Sequence, residues 1–324
     1  MCTAISWTSG NHYFGRNLDL DHSYNEAVTI TPCSFPLKFR NGQSLKKHFA
    51  IIGMATVINE YPLYYDATNE YGLSMAGLNF PGNAFYPHPV SGACNISPFE
   101  FIPWILAQCK TVEDARSLIN KTHLSGIPFS DALPLTPLHW MISDRQDSIV
   151  IESVKDGPCI FNNPANVLTN NPPFSYHMHN LCNYMQLSPN DPVNQFTNIP
   201  GLNIYSLGMG GIGLPGDLSS SSRFIRAVFT ASNAAKYDQE EKAVAQFLRI
   251  LGSVSQTEGC VTTKAGLQKT VYSSCCNTDK GIYYYTTYFG SQITAVSLTD
   301  ENKTAENLSC YPLRLQNMIR YENV

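Results

Sequence analysis

The chain has 324 residues, 43% of them apolar and 14% charged, with a formal net charge of -4. Such a composition implies a folded protein with an extensive core and excludes a disordered chain. The slight negative charge offers no electrostatic footprint for nucleic acid or an anionic membrane surface, so neither is expected as a partner.

In chain order, the sequence opens with "MCTAISWTSGNHYFGRNLDLD". "CTAISW" and "HYFGRNLDL" read as two strands around the polar turn Thr8 to Asn11. With the turn centred near residues 9 and 10, paired positions sum to roughly 19, because the turn fixes antiparallel register. Cys2 is then expected opposite Asn17, with Arg16 and Asp19 close to the chain start. Cysteine is small enough that loss of Met1 is expected, which makes Cys2 the first residue of the mature chain. No basic stretch followed by an apolar one stands at the start, so the expectation is a cytoplasmic protein without a secretory signal. The longest apolar-rich run, Phe49 to Ile58, is about half a membrane span and is broken by Gly53.

Further strands are expected in "FAIIGMATVI", "GLSMAGLNF", "LHWMISD", "SIVIESV" and "VLTNNP", with "DRQD" as a hairpin turn. Late in the chain, "GIYYYTTYFGSQITAVSL" repeats the pattern with tyrosines and β-branched residues. Neighbours are joined mostly as hairpins, which predicts antiparallel sheets. Two helix clusters lie between. "SPFEFIPWILAQC" has Ser97 as N-cap, Pro98 at the first helical position and Glu100 completing a capping box. "TVEDARSLINK" repeats that signal with Thr111 and Asp114, and carries Val112, Ala115, Leu118 and Ile119 on one stripe. "SSSSRFIRAVFTASNAA" and "EEKAVAQFLRILGSV" form the second cluster. Strands, two helices, strands, two helices, strands: the order suits two sheets with helices outside. No low-complexity linker or repeat divides the chain, and residues 1–324 are expected to form one domain.

The ten cysteines contain no CxxC, and the eight histidines no HExxH. Nine of the cysteines read as small buried hydrophobes in a reducing compartment. "HMH" puts His177 and His179 on one face if it is a strand, yet offers no third ligand. Neither a metal nor a cofactor is expected.

Cys2 is the exception. A thiol attacks a carbonyl carbon well only as thiolate, so a base must take its proton. An α-amine, with a reference pKa near 8, can do that at neutral pH. On an N-terminal cysteine, nucleophile and base share one residue. Arg16 would favour the anionic sulfur, and Asp19 would accept hydrogen bonds from the amine. Taken alone, Arg16 and Asp19 also suit a solvated strand pair.

Seven blocks extend the reading: "MCTAI", "YFGRNLD", "AGLNFPG", "LHWMISD", "VLTNNP", "GGIGLPGDLSSSSRFIR" and "YSSCCN…GIYYYTTY". Together, and in this order across the whole chain, they resemble the choloylglycine hydrolase family of N-terminal nucleophile hydrolases, which comprises bile salt hydrolases and penicillin V acylases. The resemblance implies an α+β fold, a four-layer αββα sandwich of two mainly antiparallel sheets. It implies hydrolysis of an amide bond by Cys2, with Arg16 and Asp19 as the pair that orients and tunes it. It further implies Asn79 and Asn170 at the oxyanion-hole positions, Arg223 beside the nucleophile, and a homotetramer. Aimed amide donors fit such a role, since removing one typically costs ~3 kcal/mol of barrier. Unaided, Asn79 before Pro81 and Gly82, and Asn170-Asn171-Pro172-Pro173, are equally good turn chemistry. "GMGGIGLPGD" lacks the Lys-Ser/Thr of a phosphate loop and reads as a glycine-permitted loop near the site.

Within the family, asparagine in "GLNFP" resembles bile salt hydrolases, where penicillin V acylases tend to have tyrosine. The expected substrate is therefore a glycine- or taurine-conjugated bile salt. Burying roughly 250 Å2 of steroid at ~25 cal/mol/Å2 contributes about 6 kcal/mol before binding costs. Leu18, Ile58, Tyr65, Phe129 and Leu133 stand at positions that border the site in relatives, and each also suits simple core filling. Phe129 and Leu133 lie in the proline-punctuated "GIPFSDALPLTP", which reads as loop. A penicillin V acylase, or a non-catalytic steroid binder that keeps Met1, are the alternatives.

Overall fold

The computed structural model of the chain describes residues 1–323. β1 (Cys2–Ser9) and β2 (Asn11–Leu20) form a hairpin turned at Gly10, whose φ of +66° is open to glycine at little steric cost. Cys2 pairs with Leu18 and Ala4 with Arg16, so positions sum to 20 rather than 19. The tip lies one residue later than the polar turn suggests, because Ser9 and Asn11 pair across Gly10 alone. A slip of one residue exchanges the faces of a strand. It brings Arg16, not Asn17, to the face that carries Cys2.

One sheet has six strands in the order β14-β1-β2-β15-β16-β17, all antiparallel neighbours. Its remaining members are β14 (Val167–Leu168), β15 (Lys269–Asn277), β16 (Ile282–Thr287) and β17 (Thr294–Ser297). The other sheet comprises β3 (Ala27–Thr31), β6 (Ile51–Ile58), β7 (Tyr61–Asn69), β8 (Ser74–Asn79), β11 (Leu138–Ser143), β12 (Ser148–Val154), β13 (Gly157–Asn162) and β18 (Ser309–Pro312). Their order is β13-β12-β11-β8-β7-β6-β3-β18. Two ribbons of two-residue strands complete the set, β4 (Leu37–Lys38) with β5 (Ser44–Leu45), and β9 (Asn95–Ile96) with β10 (His123–Leu124).

The sheets pack face to face, with Ala4, Leu18, Val28, Met54, Leu78 and Met141 all buried in one cluster. Ser143 Oγ donates to Ser6 Oγ across that interface at 2.8 Å. On the outer face of the six-stranded sheet lie α4 (Ser220–Asn233) and α5 (Glu240–Gly252). The indole N–H of Trp7 reaches Ala231 O of α4, and the Asn17 amide reaches Leu251 O of α5. α1 (Phe101–Leu106) and α2 (Val112–Ile119) cover the other sheet, where Phe101 meets Trp140 edge to face at 4.9 Å. The result is the αββα sandwich. α3 (Phe174–Asn180) and the single turn α6 (Asp300–Lys303) lie outside this plan. No helix among the described residues is long and apolar enough to cross a membrane.

Local chemistry explains the helix starts. Thr111 and Asp114 form the full capping box at α2, and the Ser219 hydroxyl accepts the Ser222 N–H at α4. Ahead of α1 the Ser97–Glu100 capping box is present, with the Glu100 carboxylate accepting the Ser97 N–H at 2.9 Å. "HMH" is not a strand. It lies in α3, with His177 buried and His179 exposed on the opposite side. β7 has no clear strand signature in the sequence because Pro62 and Asp66 interrupt its apolar alternation.

His12 is a buried titratable group of the six-stranded sheet. Its ring sits between Ser6 Oγ at 2.8 Å and Thr278 Oγ1 at 2.7 Å. Burial lowers its pKa to about 4, against the pull of Asp279 and Asp144. The native state thus refuses a proton that the unfolded chain accepts below about 6.5. Stability from this group is present above pH 6.5 and falls as pH drops toward 4, by up to about 3 kcal/mol. A His12→Gln chain is expected to lose less stability than the parent over that window in denaturant titrations. Equal slopes for the two would show that His12 carries no such linkage.

Candidate active site

Cys2 is buried at 3% exposure, on the inner face of β1 beside Leu18 and Arg16. With Met1 present, the α-ammonium donates to Asp19 O at 2.7 Å, and the Asp19 N–H donates to Met1 O at 2.9 Å. The Cys2 N–H, which becomes the α-amine once Met1 is lost, donates to Asn170 Oδ1 at 2.8 Å.

Asn170 is placed by the far edge of β1. Ala4 pairs with Leu168 of β14, and continuing that register sets residue 170 opposite Cys2. Its Oδ1 also accepts from Arg223 Nη2 at 2.8 Å, and its Nδ2 donates to Asn79 O at 2.7 Å. The backbone is fixed too, by Ser220 Oγ on the N–H and His177 Nε2 on the carbonyl, both at 2.8 Å. Burial lowers the pKa of His177, which keeps it a neutral donor here. One residue earlier, His139 Nε2 donates to Thr169 O at 2.9 Å, while its Nδ1 faces Glu152 at 3.2 Å and its ring stacks on Phe80. The Asn170 amide is thus held at both its oxygen and its nitrogen, with one of the two Nδ2 N–H groups still unused among the described residues. That of Asn79 is held at neither: its Oδ1 is buried without a partner, and its amide makes no hydrogen bond among the described residues.

Arg223 belongs to the first turns of α4, a poor place for a cation. Asp217 offsets this from just outside the helix, where hydrogen bonds from Ser219 and Ser222 lower its pKa to about 2. The Arg223 guanidinium folds back and is wholly buried. It donates to Leu218 O at 3.1 Å, Cys2 O at 2.5 Å and Thr3 Oγ1 at 2.7 Å besides Asn170. Arg16 approaches from the other side of the strand pair. Its Nη1 donates to Tyr65 O at 3.0 Å and Gly77 O at 2.6 Å, while Nη2 is buried and unpartnered. Burial works against the Arg16 charge, yet the anionic forms of Cys2, Tyr272, Asp66 and Asp19 around it raise its pKa above the usual arginine value. Asp19 is also fully buried, which pushes its carboxyl up against the pull of Arg223, the N-terminal charge and Thr270. Thr270 Oγ1 donates to Asp19 Oδ1 at 2.6 Å, and Oδ2 has no partner.

Of the apolar residues expected at the substrate, Leu18 is the cross-strand partner of Cys2, and Tyr65 supplies a carbonyl to Arg16. Ile58 and Tyr61 pair at the tip of the β6–β7 hairpin. Phe129 packs on Tyr61 at 6.0 Å and on Phe99 at 5.2 Å, with Arg40 over its face. Leu133 bridges to Ser130 in the same loop. Ile58 and Phe129 thus meet at the hairpin tip through Tyr61. Sequence reasoning misses Asp66, Ser274, Tyr272 and Tyr283, which meet between the sheets. The signal lies in "YYDATN", where an acid stands at an inward strand position.

The chain matches, over residues 2–311, the family of linear amide C–N hydrolases described as the choloylglycine hydrolase family. It is 53% identical over 315 residues to a bile salt hydrolase/transferase of Lactiplantibacillus plantarum, covering 97% of each chain. A bile salt hydrolase/transferase of Clostridium perfringens is 36% identical, with 96% of each chain covered. The crystal structure of the C2A mutant of the Clostridium perfringens conjugated bile acid hydrolase superposes with a TM-score of 0.92 at 35% identity, covering both chains completely. A penicillin V acylase of Agrobacterium tumefaciens shares the fold, with a TM-score of 0.75 at 17% identity over 98% of this chain and 94% of its own.

Because Arg223 ties α4 to Cys2, Thr3 and Asn170 at once, Arg223→Gln is expected to destabilise the protein by about 2–4 kcal/mol. Urea unfolding measures this. A loss below about 1 kcal/mol would mean that these bonds are replaced by water at no net cost.

Proposed function

The chain belongs to the choloylglycine hydrolase family and is a linear amide C–N hydrolase; from that premise we propose that it cleaves glycine- and taurine-conjugated bile salts through Cys2. The observation that carries the proposal is the grip of Asn170 Oδ1 on the Cys2 nitrogen, which holds the prospective base beside its own sulfur. With Met1 removed, the α-amine takes the thiol proton and the sulfur attacks the amide carbon. Arg16 and Arg223, buried on either side, favour the anionic sulfur. Asn79, whose amide is uncommitted, supplies a donor to the oxyanion. Asn170 holds Cys2, Arg223 and Asn79 in place and keeps a second Nδ2 N–H as a further donor for the oxyanion. Asp19, buried and short of one donor at Oδ2, is the carboxylate that takes the ammonium form of the amine.

The amine returns its proton to the departing glycine or taurine nitrogen, which leaves as the neutral amine end of the amino acid. Water then attacks the acyl-thioester, releasing the bile acid and restoring Cys2. Relatives named for transfer as well as hydrolysis suggest that an amine can replace that water. Leu18 and Tyr65 near the sulfur, with Ile58, Phe129 and Leu133 on the rim, provide the apolar wall for the steroid.

The proposed assembly is a homotetramer, supported by an apolar segment too exposed for a monomer. Between β14 and α4, Phe196 is 92% exposed, Leu207 93%, Tyr205 83% and Met185 82%. Light scattering that returned a monomer at micromolar concentration would remove this part of the proposal.

Cys2→Ala is expected to abolish turnover while leaving the unfolding curve nearly unchanged, and Cys2→Ser to be severely impaired. Intact mass of the active enzyme should show Met1 absent. Product release from glycocholate and taurocholate should exceed that from penicillin V. A substantial rate from Cys2→Ala, or a strong preference for the penicillin, would contradict the reading.

A further inference from the structure

Asp66 is a carboxylate that the chemistry above leaves idle. It lies on β7, 2% exposed, and faces the six-stranded sheet across the dry interior. Tyr272 OH donates to its Oδ1 at 2.6 Å, and Tyr283 OH and Ser274 Oγ donate to Oδ2 at 2.7 Å and 3.0 Å. Three hydroxyls converging on one carboxyl with no other donor in the protein suit its ionised form, which can accept from all three. Burial pushes this carboxyl up from its ordinary range, and Arg16 together with the three hydroxyls opposes that push. An anion held this way in a dry interior needs a cation, and Arg16 is the one at hand.

Two features join them. Ser274 Oγ accepts the Arg16 backbone N–H at 3.0 Å while donating to Asp66. On β7, register slips between Met54 paired with Asp66 and Ala55 paired with Tyr64, leaving Tyr65 as an extra, bulged residue. Its carbonyl, freed from the ladder, accepts Arg16 Nη1 at 3.0 Å. The same short stretch thus supplies a counter-charge and a hydrogen-bond acceptor to one guanidinium, whose Nη2 is left unpartnered.

We propose that Asp66 is a positioning residue for amide cleavage: clamped by Tyr272, Tyr283 and Ser274, it balances Arg16 in the interior and keeps the free Nη2 available to the Cys2 sulfur. The proposal rests on the reading of Cys2 as nucleophile. Without Asp66, Arg16 loses the carboxylate that lies on its own side of the sheet, and a buried cation short of counter-charge turns toward water or admits it.

The test uses the mature full-length chain with Asp66→Asn, which keeps the shape and removes the charge. On glycocholate, kcat is expected to fall about 10- to 100-fold with KM within about threefold, the pattern of misplacement rather than lost binding. The second readout is alkylation of Cys2 by iodoacetamide as a function of pH, followed by mass spectrometry of the N-terminal peptide. Here two causes have opposite signs. If Asp66 merely adds negative field, its removal makes the sulfur react at lower pH. If it holds Arg16 in place, the thiolate loses a cation and the midpoint rises, by about half a pH unit or more. A rise supports the proposal; a fall, or no movement with kcat unchanged, overturns it. In an Arg16→Gln background, Asp66→Asn should cost little more, and full additivity would show that Asp66 does not act through Arg16. Should Asp66→Asn fail to fold, Tyr272→Phe, which removes one donor and keeps the charge, is expected to lower kcat by about two- to fivefold with a smaller upward midpoint shift, and a parental profile overturns the proposal. Should the parent leave glycocholate intact, the substrate reading fails, while the alkylation midpoint still decides the role of Asp66.

Discussion

One hydrogen bond organises the site: the Cys2 nitrogen donating to Asn170 Oδ1 at 2.8 Å. A residue at a chain end would ordinarily fray, because its backbone is held on one side at most. Here the end is caught on both edges, by β2 through the Cys2–Leu18 pair and by the segment after β14 through Asn170. The oxygen that holds the nitrogen also accepts from Arg223, which reaches round to Cys2 O and Thr3 Oγ1. Moving Asn170 would therefore shift the nitrogen, the guanidinium and the first peptide of β1 together. That coupling explains why so much of the interior, from Ser220 to His177, is spent on fixing one asparagine.

Charge balance is the second constraint. Arg16 and Arg223 are both buried near Cys2, at exposures of 1% and 0%. Two isolated guanidiniums in a dry interior would cost several kcal/mol each. Asp19 and Asp66, equally buried, are the two carboxyls within the same region that attract these cations. The carboxylates lie on different sides: Asp66 between the sheets, Asp19 on the strand face shared with Thr3 and Asn17, toward α4 and α5. Neither is in direct ion-pair contact with Arg16 or Arg223. The guanidiniums instead bond mostly to carbonyl oxygens, so their charge is offset through space rather than by direct ion pairs.

Much of this arrangement is legible in the amino-acid sequence. The sheets announce themselves through alternation and the first helix cluster through Ser97, Glu100, Thr111 and Asp114, since these are local signals that a window of a few residues contains. The six proposed catalytic positions are marked by blocks of residues in a known order rather than by periodicity, and nothing in their spacing distinguishes them from turn formers. What escapes a sequence reading is set by pairings distant along the chain. Asp66 meets Tyr272 and Tyr283 more than 200 residues away, and a lone acid in a strand with Pro62 looks like an exposed edge. The one-residue difference in hairpin register has a similar origin. "TSGN" fits several turn geometries, and only the packing of Arg16 inward and Asn17 toward Leu251 selects among them.

That register also bears on the state of the chain end. Met1 extends the hairpin by one more pair, its ammonium and carbonyl both bonded to the backbone of Asp19. Losing it forfeits two hydrogen bonds, each worth a net of about 1 kcal/mol. Eight cross-strand pairs between β1 and β2 remain, with β14 and Asn170 on the other side. The fold therefore does not depend on Met1. Removal of Met1 would leave the Asp19 N–H and carbonyl without their partner, next to the nitrogen that would then be a free amine.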